Sequence, residues 1–404
     1  MKKHLLMFTA LAMAFTVNAQ TTAQDGNWSS SSTWVGGIPP VTTGTVTINH
    51  KVTLDQNYTH ESGDFTVSAT GSITGNNNTR SFAINTTPTG NATLINKGKI
   101  EVSKIAFMKG SVFGTDGTIK ADSLYTKAYI QLNNANSFIE TTALLIDQGG
   151  SIGNNGDVKA TRFLIRGTYG GTGKTTCTNL MNDATGNTTN SGTIYTDKFL
   201  NLGTWQNAYK LNTTYFLNCK SFENTASGNI YVDHNWANSD SLASPAVFLN
   251  DGYVLVQDNW ANTKEVKGNG KFCIGYNSAN TGQMNGTFDF CDNTGGGVDY
   301  NTGTIASGIT YCQFPCDASI DKYGMVEEMS IFPNPVTSHL TLSTNFDLAN
   351  AQIIIYSAYG QEVMRLSHIA GMNAELDCTL LNSGMYFLVI KNNQRSMNAK
   401  FIVE

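Results

Sequence analysis

Short runs of alternating apolar and polar residues, broken by bends rich in Gly, Asn, Thr and Ser, make up most of this chain. The clearest are six near-copies of one pattern between Gly98 and Leu202, beginning at Gly98, Gly117, Ser137, Gly156, Gly173 and Gly192. A copy opens as in Gly156-Asp157-Val158-Lys159-Ala160, and after a polar bend Phe163 and Ile165 resume the alternation. A period of two residues marks strands rather than helix. A repeat this short cannot bury its own apolar face, so neighbours must stack and share a continuous core. The pattern predicts an all-β chain whose body is a parallel β-solenoid (a β-helix) with one rung per repeat. Looser copies continue at Gly228, Gly252, Gly270, Gly286 and Gly303.

The fourth residue of successive copies reads Glu101, Lys120, Glu140, Lys159, Thr176 and Tyr195. The eleventh reads Met108, Lys127, Asp147, Arg166, Asp183 and Leu202. Wherever these positions are charged, the sign alternates. Neighbouring strands lie about 4.8 Å apart, so equivalent residues form ladders in which opposite charges contribute roughly 0.2–1 kcal/mol per pair. The ladders help to set register. They assign these charges to structure rather than to catalysis.

The chain opens Met1-Lys2-Lys3-His4, runs apolar from Leu5 to Val17 and reaches Ala19-Gln20, the pattern of a secretory signal peptide cut between those two residues. The run is too short to span a bilayer, and no other stretch approaches the roughly 20 apolar residues of a membrane helix. The expected organisation is a signal peptide over 1–19, a solenoid body over 20–317, a linker over 318–328 and a second module over 329–404. Within the body, 20–44 reads as a cap, 98–202 as the most regular rungs and 270–317 as a Cys-containing end. The expected location is extracellular or on the outer cell surface, reached through the periplasm.

Only 14% of residues are charged and the net charge is −5. That leaves no basic groove for nucleic acid and no polybasic membrane patch, so a partner should be neutral or weakly charged. Four of the seven cysteines, Cys273, Cys291, Cys312 and Cys316, crowd the end of the body. In an oxidising compartment they read as disulfides with three possible connectivities, stapling the last rungs where open strand edges invite aggregation. No histidine lies within 20 residues of any of the four, which weakens a zinc reading. Cys177 falls on an inward position and reads as a buried thiol.

Two segments carry a resemblance. Asp25-Gly26-Asn27-Trp28, then Ser32-Thr33-Trp34-Val35-Gly36-Gly37-Ile38-Pro39-Pro40, followed by strands at Thr45–Ile48 and Val52–Leu54, resembles the opening of secreted bacterial β-helix proteins, including those with G8-type domains. Trp28 and Trp34 there read as a cap over the core end. At the other end stand Phe332-Pro333-Asn334-Pro335-Val336, the run from Ile353 through Tyr359-Gly360-Gln361 to Val363, Ser383-Gly384-Met385-Tyr386, and Lys400 to Glu404. This stretch of about 75 residues resembles the type A C-terminal sorting domain of the type IX secretion system of Bacteroidetes. The matching motif residues are Pro333, Asn334, Pro335, Gly360, Gly384, Tyr386 and Lys400. The resemblance implies a small Ig-like β-sandwich recognised by the outer-membrane translocon, generally cleaved after export, with the cargo then anchored or released.

Catalytic motifs are scarce. Gly167 to Thr175 departs from a phosphate loop, since Thr168 stands where the first Gly is required. The histidines His50, His60, His234, His339 and His368 form no metal pair of familiar spacing, and no Gly-x-Ser-x-Gly elbow occurs. No cofactor or metal is expected. A polysaccharide lyase would need Arg or Lys beside a base, and a hydrolase two carboxylates across the scissile bond. The solenoid offers three arginines, Arg80, Arg162 and Arg166. The best ligand-binding candidates are a duplicated stretch, Asn235-Trp236-Ala237-Asn238 and Asn259-Trp260-Ala261-Asn262. Aromatic faces flanked by amides suit neutral sugars; the competing reading has both tryptophans covering a solenoid corner. Asp122-Ser123-Leu124 and Asp240-Ser241-Leu242 resemble the Bacteroidetes O-glycosylation tripeptide.

The sequence thus points to an exported, adhesin-like or glycan-interacting body without catalysis, delivered by type IX secretion. The alternative is a polysaccharide lyase or glycoside hydrolase of β-helix type. An enzyme should show acids and bases converging in a groove; an adhesin should show long flat ladders of Thr, Asn and aromatics.

Overall fold

The computed structural model describes residues 19–75, 79–109, 113–240, 245–313, 329–344, 348, 351–367, 371, 373–392 and 395–404. The signal-peptide stretch before residue 19, Cys316, the linker, Ser241 and His368 lie outside them. The chain forms two compact units that divide between Ser319 and Ile320.

The first unit is a parallel β-solenoid. One 15-stranded sheet takes a short strand from each rung, running from Gln20–Thr21 to Thr304–Ile305. The remaining strands stack in parallel beside it, and in the regular rungs each is nine residues long, as in Asp157–Ile165 and Thr193–Asn201. Equivalent residues of the six copies are direct partners: Glu101 faces Lys120, Lys120 faces Glu140, and Glu140 faces Lys159.

Each long strand bends at its centre. In Asp157–Ile165, Val158, Ala160, Phe163 and Ile165 are buried, while the consecutive Thr161 and Arg162 both face outward, breaking the alternation once. Inward threonines brace this bend in several rungs. The Thr213 hydroxyl donates to the Tyr215 carbonyl at 3.0 Å, and Thr196 does the same to Lys198 at 3.2 Å. The glycine that opens a copy is there for space. A Cβ on Gly192 would sit 2.0 Å from the Gly173 carbonyl oxygen, and one on Gly156 would sit 2.1 Å from that of Ser137.

The core is a set of columns running the length of the stack. The short-strand sheet contributes Ile130, Ile152, Tyr169, Thr188, Trp205, Phe222 and Phe248 in register. Trp28 and Trp34 are buried at the first rungs with ring centroids 5.0 Å apart, and the Trp34 indole donates to the Trp28 carbonyl at 2.8 Å. At the far end Cys291 and Cys312, paired on adjacent rungs, form a disulfide, with Cys273 in register on the other side of Cys291. Cys177 is buried inside, and burial pushes its thiol up to about 12.

The second unit is antiparallel. Met329–Phe332, His339–Thr344 and Asn373–Asp377 form a three-stranded sheet. Gln352–Ser357, Glu362–Ser367, Gly384–Asn392 and Arg395–Val403 form a four-stranded one. Leu340, Leu342, Ile353, Ile355, Leu376, Leu388 and Phe401 build their shared core.

Candidate functional site

The duplicated Asn-Trp-Ala-Asn stretches lie largely inside the solenoid. Trp236 and Trp260 are each 1% exposed. They continue a column of stacked rings: Phe199 on Phe216 at 5.0 Å, Phe216 on Trp236 at 5.8 Å, and Trp236 on Trp260 at 5.3 Å and 3°. Asn238 and Asn262 are buried too, because residues two apart in a strand share a face. These four residues are therefore unavailable to a ligand, which corrects the expectation from sequence. Of the six candidates, Asn235 and Asn259 remain near the surface, where the Asn259 amide donates to Asn235 at 2.8 Å and Asn277 donates to Asn259 at 3.0 Å.

Asn238 and Asn262 instead belong to an amide ladder. Asn182 donates to Asn201, Asn201 to Asn218 and Asn218 to Asn238, each at 2.8 Å. Asn238 donates to Asn262 and Asn262 to Asn280 at 2.9 Å, and Asn280 to Asn301 at 2.8 Å. A second ladder links Asn190, Asn207, Asn224 and Asn250 at 2.8–2.9 Å. Buried amides are tolerated because each is matched. The sequence signal was present: Asn closes strand after strand from Asn182 onward, just before a turn.

The charged ladders are also structural. Lys120 pairs with Glu140 at 2.6 Å, Lys127 with Asp147 at 3.5 Å and Arg166 with Asp183 at 2.9 Å. Glu101 pairs with Lys99 on its own strand. Asp147 also accepts from the Tyr125 hydroxyl at 2.7 Å, and that bond leads the causes holding its carboxyl below the usual range. Arg162 and Arg166 both face outward. Asp197 is exposed at the bend, where desolvation by the surrounding rungs pushes its carboxyl up and Lys198 beside it pulls partly back. His234 faces Asp258 at 2.7 Å on the surface. Among the described residues no group of three His, Cys, Asp or Glu could hold a metal ion.

Two outer features suit recognition. The first is the outer face of the short-strand sheet between Ser151 and Ser221. Thr168, Asn187, Thr204 and Ser221 are exposed in one column, flanked by Gly170, Thr189, Gln206 and Glu223 in the next. Of these eight only Glu223 is charged, and it accepts from the Gln206 amide at 2.9 Å. The second is a trough of about 540 Å³ near the C-terminal end, lined among others by Thr263, Thr281, Thr302 and Gln283.

In the second unit the motif residues tie the two ends together. The Asn334 side chain donates to the Lys400 carbonyl at 3.2 Å and accepts from the Ile402 N–H at 2.9 Å. Pro333 and Pro335 flank it, and the following Val336 is buried beside Val403. Tyr386 stacks on Phe401 at 5.6 Å and donates to the Asn382 carbonyl at 2.8 Å. Gly360, with φ of 80°, turns the hairpin between Gln352–Ser357 and Glu362–Ser367. Gly384 opens the following long strand, Gly384–Asn392.

Residues 330–404 match the secretion system C-terminal sorting domain family. The C-terminus is thus a type IX sorting domain, which implies handling by that secretion system, export, and a surface or extracellular location. No curated protein matches the chain. Among the described residues no helix is long and apolar enough to cross a membrane.

Proposed function

We propose that this chain is a Bacteroidetes protein with a G8-like opening, carried through the periplasm by its signal peptide and across the outer membrane by the type IX system. Its solenoid body serves there as an adhesin-like module that binds glycans without catalysis. The observation that carries the reading is the exposed column of Thr168, Asn187, Thr204 and Ser221, none of which is charged. Hydroxyl and amide groups repeat along it once per rung, about 4.8 Å apart, on strands held rigid by the columns beneath. Such a column offers donors and acceptors to sugar hydroxyls and carries no charge of its own that would have to be desolvated.

Co-sedimentation with insoluble neutral polysaccharides tests the reading. The purified protein should pellet with at least one of them, and a Thr168→Lys/Thr204→Lys variant should stay in the supernatant while melting like the parent. Equal pelleting of parent and variant, or none by either, would remove this face from the account.

A further inference from the structure

The trough near the C-terminal end is built from the same register as the amide ladder. Asn262, Asn280 and Asn301 are successive ladder members, so the next residues, Thr263, Thr281 and Thr302, line up on consecutive rungs just outside them. Their backbone N–H groups confirm the stacking: Thr281 donates to the Asn262 carbonyl at 2.8 Å and Thr302 to that of Asn280 at 3.0 Å. Gly282 and Gly303 follow, where a Cβ would lie 2.1 Å from the Lys264 oxygen and 2.0 Å from the Gly282 oxygen respectively. These glycines pack directly on the backbone of the preceding rung, beside the hydrogen-bonded amides.

The polar groups facing this space are open. The Thr281 and Thr302 hydroxyls make no hydrogen bond among the described residues, and the Thr263 hydroxyl donates only a long 3.3 Å bond to the Asn238 carbonyl. The charges at the rim are matched within the protein: Lys264 pairs with Asp240 at 2.6 Å, and Glu265 pairs with Lys267 at 3.9 Å while accepting from the Asn285 amide at 3.1 Å. A volume of about 540 Å³ falls within the range of small-ligand sites. A charged ligand would have to break those pairs; a neutral, hydroxyl-rich one would not.

We infer that this trough is a binding site for a neutral oligosaccharide lying along the solenoid axis, its hydroxyls meeting Thr263, Thr281 and Thr302 rung by rung. The inference rests on the glycan reading above and gives it a second site, for soluble chains. The Thr281 and Thr302 hydroxyls can each donate once and accept twice, which matches the paired donor and acceptor character of a sugar hydroxyl, while Thr263 offers its acceptor positions. Gln283, whose amide N–H₂ is unengaged among the described residues, adds a donor at the edge.

Calorimetric titration of the full chain with cellohexaose, xylohexaose and mannohexaose tests it. Saturable binding of at least one is expected, weakened tenfold or more in Thr281→Val/Thr302→Val, a change that keeps shape and removes only the hydroxyls. Thr168→Lys/Thr204→Lys should bind the hexaose unchanged. Binding equal in the valine variant, or none to any hexaose, overturns the trough. If insoluble polysaccharide still sediments the protein in that case, the glycan reading stands without this site.

Discussion

The two halves of the solenoid use one inward column in opposite ways. In the first half it holds Ile84, Phe107, Thr126, Ile146 and Ile165; in the second it holds Asn182, Asn201, Asn218, Asn238, Asn262, Asn280 and Asn301. The neighbouring column makes a related change, with the mixed run of Leu124, Leu144, Phe163 and Leu180 giving way to the unbroken rings of Phe199, Phe216, Trp236 and Trp260. Apolar packing is non-directional, and in the first half it too spans rungs of unequal length, with partners 24 residues apart at His60–Ile84 and 19 apart at Phe107–Thr126. An amide pair fixes both distance and angle. In the second half it holds register across rungs of unequal length, with partners 17 residues apart at Asn201–Asn218 and 26 apart at Asn224–Asn250. Directional bonds at the corner keep register while the chain between them lengthens and shortens.

Breaking the aromatic column should cost most. Trp236→Ala is expected to destabilise by about 3–5 kcal/mol. Trp236→Phe should cost no more than about 1.5 kcal/mol, since Phe already stacks in this column and the buried Trp236 N–H has no partner among the described residues. Denaturant unfolding separates the two. Next comes Asn201→Leu, which removes four hydrogen bonds: those from the Asn182 amide and the Gly203 N–H, and those to the Asn218 oxygen and the Ser221 carbonyl. A loss of roughly 3 kcal/mol or more is expected, against about 1 kcal/mol for Ile146→Val in the apolar half.

A smaller effect sharpens the boundary between the halves. Ile165 is in register with Asn182, whereas Ile146 lies between Thr126 and Ile165. Ile165→Asn can extend the ladder by one member, so it should be less destabilising than Ile146→Asn by about 1 kcal/mol, one net hydrogen bond. Equal losses would show that the ladder cannot grow. Smallest of all, Arg166→Gln should shift stability by at most about 1 kcal/mol, because the pair with Asp183 is largely solvent-exposed. A larger loss would mean that the charged ladders hold the stack after all.

The solenoid was legible because a period-2 pattern at nearly constant spacing has one good solution, and the sorting domain because its motif residues clasp the two ends of a small sandwich. The amide ladder was misread for a physical reason. Alternation alone leaves open which face of a strand is inward, and Asn next to Trp looks like a sugar site when both are imagined outside. Strand parity from Phe199 and Phe216 through to Trp236 would have placed the ring inside and Asn238 with it. The trough could not be read at all, because Thr263, Thr281 and Thr302 converge only through rungs of unequal length.

The most direct test of recognition without catalysis is a time course of reducing and unsaturated sugar ends released from the polysaccharides that the full chain binds. The account predicts binding with release no faster than in protein-free controls. Sustained turnover would contradict it, and would turn attention to Asp197, exposed at the strand bend, and its neighbours.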